Sequence, residues 1–296
     1  MSQINPLVSV IVITYNSSAT VLETLDSVNR QTYRNIELII ADDFSTDDTV
    51  KKAEEWLRIT KPNYRAALIK ATHNTGTSGN CNRGLLNSKG SFVKIIAGDD
   101  ILYSNCVEDN VRYIHEHPEV RVLQSLSALY KNNFSGKAFS VEPAETKYQF
   151  FKLPDGKSQY NYILNTGNYI YAPSMLVEKQ LLIEVGGYDE RFKLMEDYPL
   201  WLKITRNNVK IHLLDKITVG YRIHDNASMK KAKPFMNERF ACESIYFLQN
   251  FFENEEYNFR VRKEIAKFKA VIMLNKLGLN RNSILSKILF SLIFKF

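Results

Sequence analysis

Two stretches near the amino terminus restrict the fold more than anything else in the chain. Val8–Thr14 reads VSVIVIT and residues 36–41 read IELIIA, both apolar and β-branched, without the alternation that a half-exposed strand would show. Strands of this kind are buried on both faces, which points to the centre of a parallel sheet covered by helices. Parallel neighbours need a crossover, and helical patterns fill the intervals. Val21, Leu22, Leu25 and Val28 recur at helical spacing behind the first run, with Asn16 and the following serines as the expected cap. Behind the second run, Ser45-Thr46-Asp47-Asp48 has the form of a capping box opening a helix through Trp56 and Leu57. A third strand is expected over Ala66–Lys70, a third helix over residues 78–88 and a fourth strand over Phe92–Ala97.

This alternation predicts an α/β, doubly wound sheet with right-handed crossovers and helices on both faces. Ligands of such sheets bind at the carboxyl ends of the strands. There the sequence places Thr14-Tyr15-Asn16, Asp42-Asp43 and Asp99-Asp100. Residues 120–171 are less regular, with a strand over 122–130 followed by a polar, aromatic stretch suited to an acceptor-facing insertion. Pattern resumes in a short segment over 173–177, a helix to Val185, an amphipathic helix over 196–207, and strands over 210–214 and 218–223. Beyond Pro234 the pattern is helical.

With 296 residues, 45% of them hydrophobic, the chain is long enough for a catalytic-sized domain and an appendage. The expected organisation is a main domain over 1–230, divided into halves over 1–104 and 105–230, and a helical, basic extension over 231–296. Cys81, Cys106 and Cys242 have neither disulfide nor zinc spacing, which suits a reducing cytoplasm. The start MSQINPLVSVIVITYN lacks the layout of a signal peptide, and no apolar run reaches the ~18–20 residues that span a bilayer. The net charge of +7 is concentrated late: Arg260, Arg262, Lys263, Lys267, Lys269, Lys276, Arg281, Lys287 and Lys295 are opposed only by Glu264. Within NSILSKILFSLIFKF (282–296), Ile284, Leu285, Ile288, Leu289, Leu292 and Ile293 are expected on one helical face. Such a helix is too short to span a membrane; it suits either the interface of the cell membrane's inner leaflet or packing against protein, including a second copy in a homo-oligomer.

Each polar cluster has two readings. Asp99-Asp100, closing VKIIAGDDIL, is a turn or a site for a hard divalent cation, with Gly98 admitting a close ligand. Asp42-Asp43 caps a helix or binds a base or ribose. Glu196-Asp197 complements a helix dipole or supplies a general base. His224, at the end of an apolar strand, is a packed histidine or a metal or phosphate partner.

Taken in order, these segments resemble the family 2 glycosyltransferases, inverting sugar-nucleotide enzymes with the GT-A fold. VSVIVITYN is similar to the family's opening strand and TYN turn, and QTYRNIELIIADDFSTDDT to its second strand and DDGS-type loop, with Phe44 in the glycine place. NTGTSGNCNRGLLNSKGSFVKIIAGDD is similar to the run ending in a DXD-type metal motif, GGYDERFKLMEDYPLWLKI to the acceptor helix with its ED pair, and YRIHDNAS to the late histidine motif. The resemblance implies that 1–230 is a catalytic domain, with a nucleotide-sugar-binding half over 1–104 and an acceptor-binding half over 105–230. It implies a nucleotide pocket lined by Thr14, Tyr15 and Asn16, and Asp43, with Asp42, on a uracil-like base. It further implies Asp99 on the ribose or sugar, Asp100 and His224 on Mn²⁺ or Mg²⁺, and Asp197, supported by Glu196, as catalytic base. Two departures stand out. Ala97 occupies the place of the first acid of a full D-x-D-D, and Cys81 stands where many members carry an arginine before Asn82-Arg83, leaving donor contacts to Asn82 and Arg83. The implied partners are a UDP-sugar and a lipid-linked glycan acceptor of surface polysaccharide assembly.

Rival classes fare less well. A nicotinamide-linked dehydrogenase needs GxGxxG where this chain has TYN. Nucleic acid is not an expected partner, because acidic strand ends repel phosphate. A catalytically inactive sugar-nucleotide-binding module stays open as the alternative.

Overall fold

The computed structural model describes residues 5–168, 170–224, 238–251, 259–280 and 283–295. Elements follow in the order β1 (Val8–Thr14), α1 (Val21–Asn29), β2 (Ile36–Asp42), α2 (Thr49–Thr60), β3 (Ala66–Lys70), α3 (Gly76–Asn87), β4 (Phe92–Ala97), β5 (Ile101–Leu102) and α4 (Cys106–Glu116). Then come β6 (Val122–Lys131), β7 (Ser140–Glu142), α5 (Gln149–Lys152), α6 (Gly156–Thr166), β8 (Met175–Glu178), α7 (Lys179–Glu184), α8 (Asp197–Arg206) and β9 (Ile211–Ile223). The chain ends in α9 (Glu238–Phe251), α10 (Phe259–Lys276) and α11 (Ile284–Lys295). Two units are distinguished, one ending at Ile223 and the other starting at His224.

In the first unit the described strands form one mixed sheet in the order β3-β2-β1-β4-β8-β6-β9-β5, with β7 paired to β6. β1, β2, β3 and β4 are mutually parallel where they pair, as the continuous apolar runs predict. β8 enters antiparallel between β4 and β6, and β9 runs parallel to β6. One face of the sheet contributes Val10, Val12, Leu38, Ile40 and Ile96 to a core shared with Val21 and Leu25 of α1, Ala53 and Trp56 of α2 and Val107 of α4. The other face receives α3 on β1 and β2. The approach there is close enough that Gly84 has no substitute: a Cβ would lie 2.3 Å from Ile11 Cγ2.

Several local expectations are corrected. Leu22 is 39% exposed, because α1 buries Val21, Thr24, Leu25, Ser27 and Val28 instead. Asn16 does not cap α1, whose cap position is Thr20; Asn16 Oδ1 accepts from the Thr46 N–H at 2.9 Å, joining two strand-end loops. The capping box likewise does not form, and Asp47 Oδ1 accepts from Thr49 N at 3.0 Å. The two late strands are one, β9, paired with β6 through register shifts between Gln124 and Ser127. In the second unit, Ala241, Val271 and Leu274 pack with Leu289, Phe290, Ile293 and Phe294. The six apolar positions of α11 therefore divide: Leu289 and Ile293 are packed, while Ile284, Leu285, Ile288 and Leu292 are more than half exposed.

The amino-terminal edge of the sheet is fastened by a buried carboxylate. Glu37, 1% exposed, accepts from Ser9 Oγ at 2.5 Å, from Gly90 N at 3.1 Å and from Lys89 N, and pairs with Arg65. Burial raises its pKa, but the hydrogen bonds from Ser9, Lys89 and Arg65 outweigh burial and hold the carboxyl below its ordinary value. A depressed carboxyl stabilises the fold above its unfolded pKa, and that contribution disappears as pH falls through the folded value. Glu37→Gln should cost about 2 kcal/mol at pH 7 in urea unfolding, and the gap to the parent should close on acidification below the glutamate range. A gap of constant size at all pH values would show that Glu37 does not act through its charge.

Candidate active site

The strand register aligns the carboxyl ends of β1, β2 and β4, with Thr14 opposite Asp42 and Ile13 opposite both Ala41 and Ala97. β1 lies between β2 and β4, so the chain leaves β1 in one direction and returns on the other side, the switch point at which wound sheets open a crevice.

At the β1–β2 side, the first acid pair is bound into the protein. Asp42 is 1% exposed; its Oδ1 accepts from Ser45 N at 2.9 Å, and its Oδ2 from Thr14 Oγ1 at 2.9 Å and Ser45 Oγ at 2.5 Å. Asp43, 2% exposed, accepts from Thr75 N at 2.9 Å, Thr75 Oγ1 at 2.7 Å and Gly76 N at 2.8 Å, which seats the start of α3. Arg83 approaches the same carboxylate at 3.4 Å while donating to Asn80 Oδ1 at 2.6 Å and Thr75 Oγ1 at 2.9 Å. Asn80 in turn donates to the carbonyls of Ala41 and Thr14 at 2.8 and 3.3 Å. Between these anchored groups, Tyr15 and Phe44 are about half exposed, and Asn16 and Phe44 adopt left-handed backbone with φ of 51° and 68°. Phe44 takes the conformation that a glycine would adopt without strain.

On the β4 side, Gly98 brings the backbone close to β1: a Cβ would lie 2.8 Å from Thr14 Cγ2. Thr20 and Thr24 of the α1 region donate to the carbonyls of Gly98 and Asp100, both at 2.7 Å, and hold the turn. Asp99 is partly exposed. Asp100 is 1% exposed; its Oδ1 accepts from Arg222 N at 2.8 Å, and its Oδ2 has no hydrogen-bond partner. Burial, joined by the charge of Asp99, pushes this carboxyl well up from its ordinary range, against an opposing pull from Arg222. A buried oxygen with an open lone pair, beside a second acid, fits a hard divalent cation. No group of three or more His, Cys, Asp or Glu side chains with metal-holding geometry occurs among the described residues, so a cation here would complete its shell from other ligands. His224 directly follows the end of β9; the rest of its motif, from Asp225, lies outside the described residues.

Arg222 itself is absent from the sequence-derived set. It is 7% exposed, and its guanidinium donates to the Asp99 carbonyl at 2.7 Å, the Asn132 carbonyl at 2.8 Å and Glu23 Oε2 at 2.5 Å. Its place two residues before His224 was the available signal; the partners lie 199 and 90 positions away in the chain for Glu23 and Asn132.

The second acid pair lies at the start of α8, with Glu196 in the cap position and Asp197 first in the helix. The turn before it is clamped by Asn82, which donates to the Tyr188 carbonyl and to Glu190, both at 2.9 Å, and accepts from Tyr188 N at 2.9 Å. Pro199, Leu200, Trp201 and Ile204 are buried, so α8 is seated as its apolar spacing predicts. Asp197 Oδ1 accepts from Tyr198 N at 2.7 Å and Oδ2 from Asn168 Nδ2 at 2.9 Å. Desolvation raises its pKa, with both hydrogen bonds opposing.

Two groups, the buried Cys81 and the partly buried Tyr221, lie within electrostatic reach of these clusters. The Cys81 thiol, pushed up by burial, also feels the charges of Glu196, Asp197 and Asp43. The Tyr221 phenol on β9, raised by burial, feels Asp100, Asp99 and Glu196. The charges of acidic segments far apart in sequence thus bear on α3 through Cys81 and on β9 through Tyr221. Neither Cys81 nor Tyr221 was singled out as a point of convergence by the sequence, because only the sheet order brings them within reach of those charges.

The family model described as glycosyl transferase family 2 matches residues 9–184, more than half of the chain. An uncharacterised glycosyltransferase of Rickettsia prowazekii is 29% identical over 220 residues, covering 74% of this chain and 65% of that protein. The Escherichia coli enzyme WfaP, named as a UDP-Glc:α-D-GlcNAc-diphosphoundecaprenol β-1,3-glucosyltransferase, is 27% identical over 81% of this chain and 86% of its own. Among solved structures, Staphylococcus aureus TarS with UDP-GlcNAc superposes with a TM-score of 0.62 at 23% identity, over 89% of this chain and 72% of that one. The mannosyltransferase PcManGT of Pyrobaculum calidifontis, solved with GDP-Man and Mn²⁺, gives 0.62 at 16% identity, over 97% and 79%. The mixed sheet with helices on both faces is the GT-A fold of these neighbours, and the chain belongs to glycosyl transferase family 2.

Proposed function

We propose that this glycosyltransferase moves a sugar from a nucleoside-diphosphate sugar, of the UDP class, to a hydroxyl of a lipid-linked glycan, with inversion at the anomeric carbon. The observation that carries the reading is geometric: β1, β2 and β4 end in register, and α3, whose start is anchored on Asp43, holds the turn before Glu196-Asp197 through Ser78 to the Phe192 carbonyl and Asn82 to the Tyr188 carbonyl. Donor contacts are assigned to Thr14, Tyr15 and Asn16, to Asp42 and Asp43 through the loops that they brace, to Asn82 and Arg83, and to Asp99. The relative from Escherichia coli acts, by its name, on a diphosphoundecaprenol-linked acceptor, and this supports the lipid-linked class.

In this reading Asp197 takes the proton of the acceptor hydroxyl, which attacks the anomeric carbon opposite the leaving diphosphate. Glu196 keeps a second negative charge nearby, which favours proton uptake by its neighbour. A raised carboxyl pKa also improves a base, provided that it is still ionised at the working pH. Asp100, through its open Oδ2, and His224 are the residues that would hold Mn²⁺ or Mg²⁺. Such an ion, when bound, supplies positive charge against the departing diphosphate.

The exposed apolar residues of α11 lie in the most basic part of the sequence, which suits peripheral contact with the anionic inner face of a cell membrane. Among the described residues no helix is long and apolar enough to cross one.

Four measurements test these assignments. A panel of UDP- and GDP-sugars, assayed with Mn²⁺ for nucleotide release, should identify a donor; binding without any release would instead make the chain a sugar-nucleotide-binding module. With that donor, Asp197→Asn should lower transfer by at least 100-fold while leaving donor affinity unchanged, and near-normal turnover would remove Asp197 from the role. Asp100→Ala should abolish the Mn²⁺ dependence of donor binding; an unchanged manganese titration contradicts that assignment. For the membrane, the full chain should float with vesicles containing phosphatidylglycerol, and Ile288→Glu with Leu292→Glu should release it. Equal flotation of the parent and the double variant would rule out this face.

A further inference from the structure

Asp197 is held from two sides, and one of the holders comes from a segment that no motif includes. Asn168 donates from Nδ2 to Asp197 Oδ2 at 2.9 Å, while its own Oδ1 accepts from the Ile170 N–H at 3.0 Å, which fixes the amide's orientation. The residue stands just beyond α6, after Gly167, whose φ of +95° lets the chain turn out of the helix. That helix is itself firmly seated. Gln159, fully buried, donates to the Ile211 carbonyl at 2.9 Å and accepts from Ile211 N at 2.7 Å, tying α6 to β9. Tyr198 OH donates to the Ile163 carbonyl at 2.8 Å, tying the first turn of α8 to the last turn of α6. An amide whose carbonyl is anchored, two residues past a helix bonded to both the sheet and α8, presents its N–H to the carboxylate in one orientation.

We propose that Asn168 is the positioning residue of the base: its amide fixes the plane of the Asp197 carboxylate and favours the ionised form that accepts the acceptor's proton. The role rests on reading Asp197 as the base, and it places part of the catalytic geometry in the acceptor-side segment. The titratable groups around Asp197 are Glu196 on its own helix start, Cys81 on α3 and Tyr188 in the clamped turn. Glu196 opposes ionisation of Asp197, and a thiol and a phenol both raised by burial add no positive charge. The ionised state therefore leans on hydrogen bonds, that from Asn168 among them. Removing a donor to the charged form moves a carboxyl upward, and replacing the amide by a second acid moves it further.

The direct test uses the full chain labelled with [¹³C]carboxyl-aspartate, the Asp197 resonance being identified by its loss in Asp197→Asn. Asn168→Ala should raise the titration midpoint of that resonance, Asn168→Asp should raise it more, and Asn168→Gln should restore part of the parent value. An unmoved midpoint in both Ala and Asp variants, with unchanged melting temperature, would overturn the proposal without any reference to activity. With the donor found in the sugar panel, Asn168→Ala should lower kcat about 10- to 100-fold, move the acidic limb of the pH profile upward and leave donor KM unchanged. A rise in acceptor KM alone, with the limb unmoved, would make Asn168 an acceptor contact and refute positioning. Turnover surviving in Asp197→Asn would refute the base reading, a result that the resonance titration reports on separately.

Discussion

The structure is organised by a requirement on charge: a carboxylate withdrawn from water has to be answered by hydrogen-bond donors, a cation or a proton. The carboxyl edge of this sheet carries Asp42, Asp43, Asp99 and Asp100, and the start of α8 carries Glu196 and Asp197. The answers differ, and the difference shapes the site. Asp42 and Asp43 are answered entirely from within the protein, by Thr14, Ser45, Thr75, Gly76 and Arg83, and in accepting those bonds they draw together the loops after β1, β2 and β3. Asp100 is answered at one oxygen only. Asp197 accepts from Asn168 and from Tyr198 N and remains partly exposed.

Much of this was legible in the sequence, for reasons that are local. VSVIVIT and IELIIA read as central parallel strands, because no face of them tolerates water, and the polar residues that close them, Tyr15-Asn16 and Asp42-Asp43, had to appear at the carboxyl edge. The helix with Leu200, Trp201 and Ile204 was readable from spacing alone. What escaped were contacts set by distant pairing. Arg222 reaches Glu23 across 199 positions, and Lys94 is wholly buried with its ammonium toward the Met175 carbonyl, although a lysine inside a strand reads as a surface position. Asn16 and the Ser45–Asp48 box were misread as caps for a related reason: their side chains fit local capping, but the register of β1 against β2 offered a partner in the other loop.

The carboxyl-terminal unit illustrates the same limit in apolar terms. A helical wheel of α11 yields one broad face, yet burial separates Leu289 and Ile293 from Ile284, Leu285, Ile288 and Leu292. Periodicity says how wide a face is; it does not say how much of that width the rest of the fold can cover. Here α10 supplies Val271 and Leu274, and α9 supplies Ala241, a narrow platform that accommodates one stripe and leaves the other exposed.

The distinction between fully and partly answered carboxylates also separates structural acids from chemical ones more sharply than motif membership does. Asp42-Asp43 and Asp99-Asp100 are the same dipeptide at the ends of β2 and β4, the two parallel strands that flank β1, and nothing local tells them apart. The fold does so by what it sets against each. The α3 amino terminus faces Asp43 with backbone N–H groups that cannot leave, whereas Asp100 faces a single backbone donor from β9 and keeps Oδ2 without a hydrogen-bond partner. A side chain already saturated by its own protein has little left to offer a ligand; one that is buried and half-satisfied retains a free-energy gain for whatever cation or donor arrives. By that physical criterion Asp42 and Asp43 hold the loops of the edge together, while Asp100 keeps an unanswered oxygen, the feature on which its proposed cation role rests.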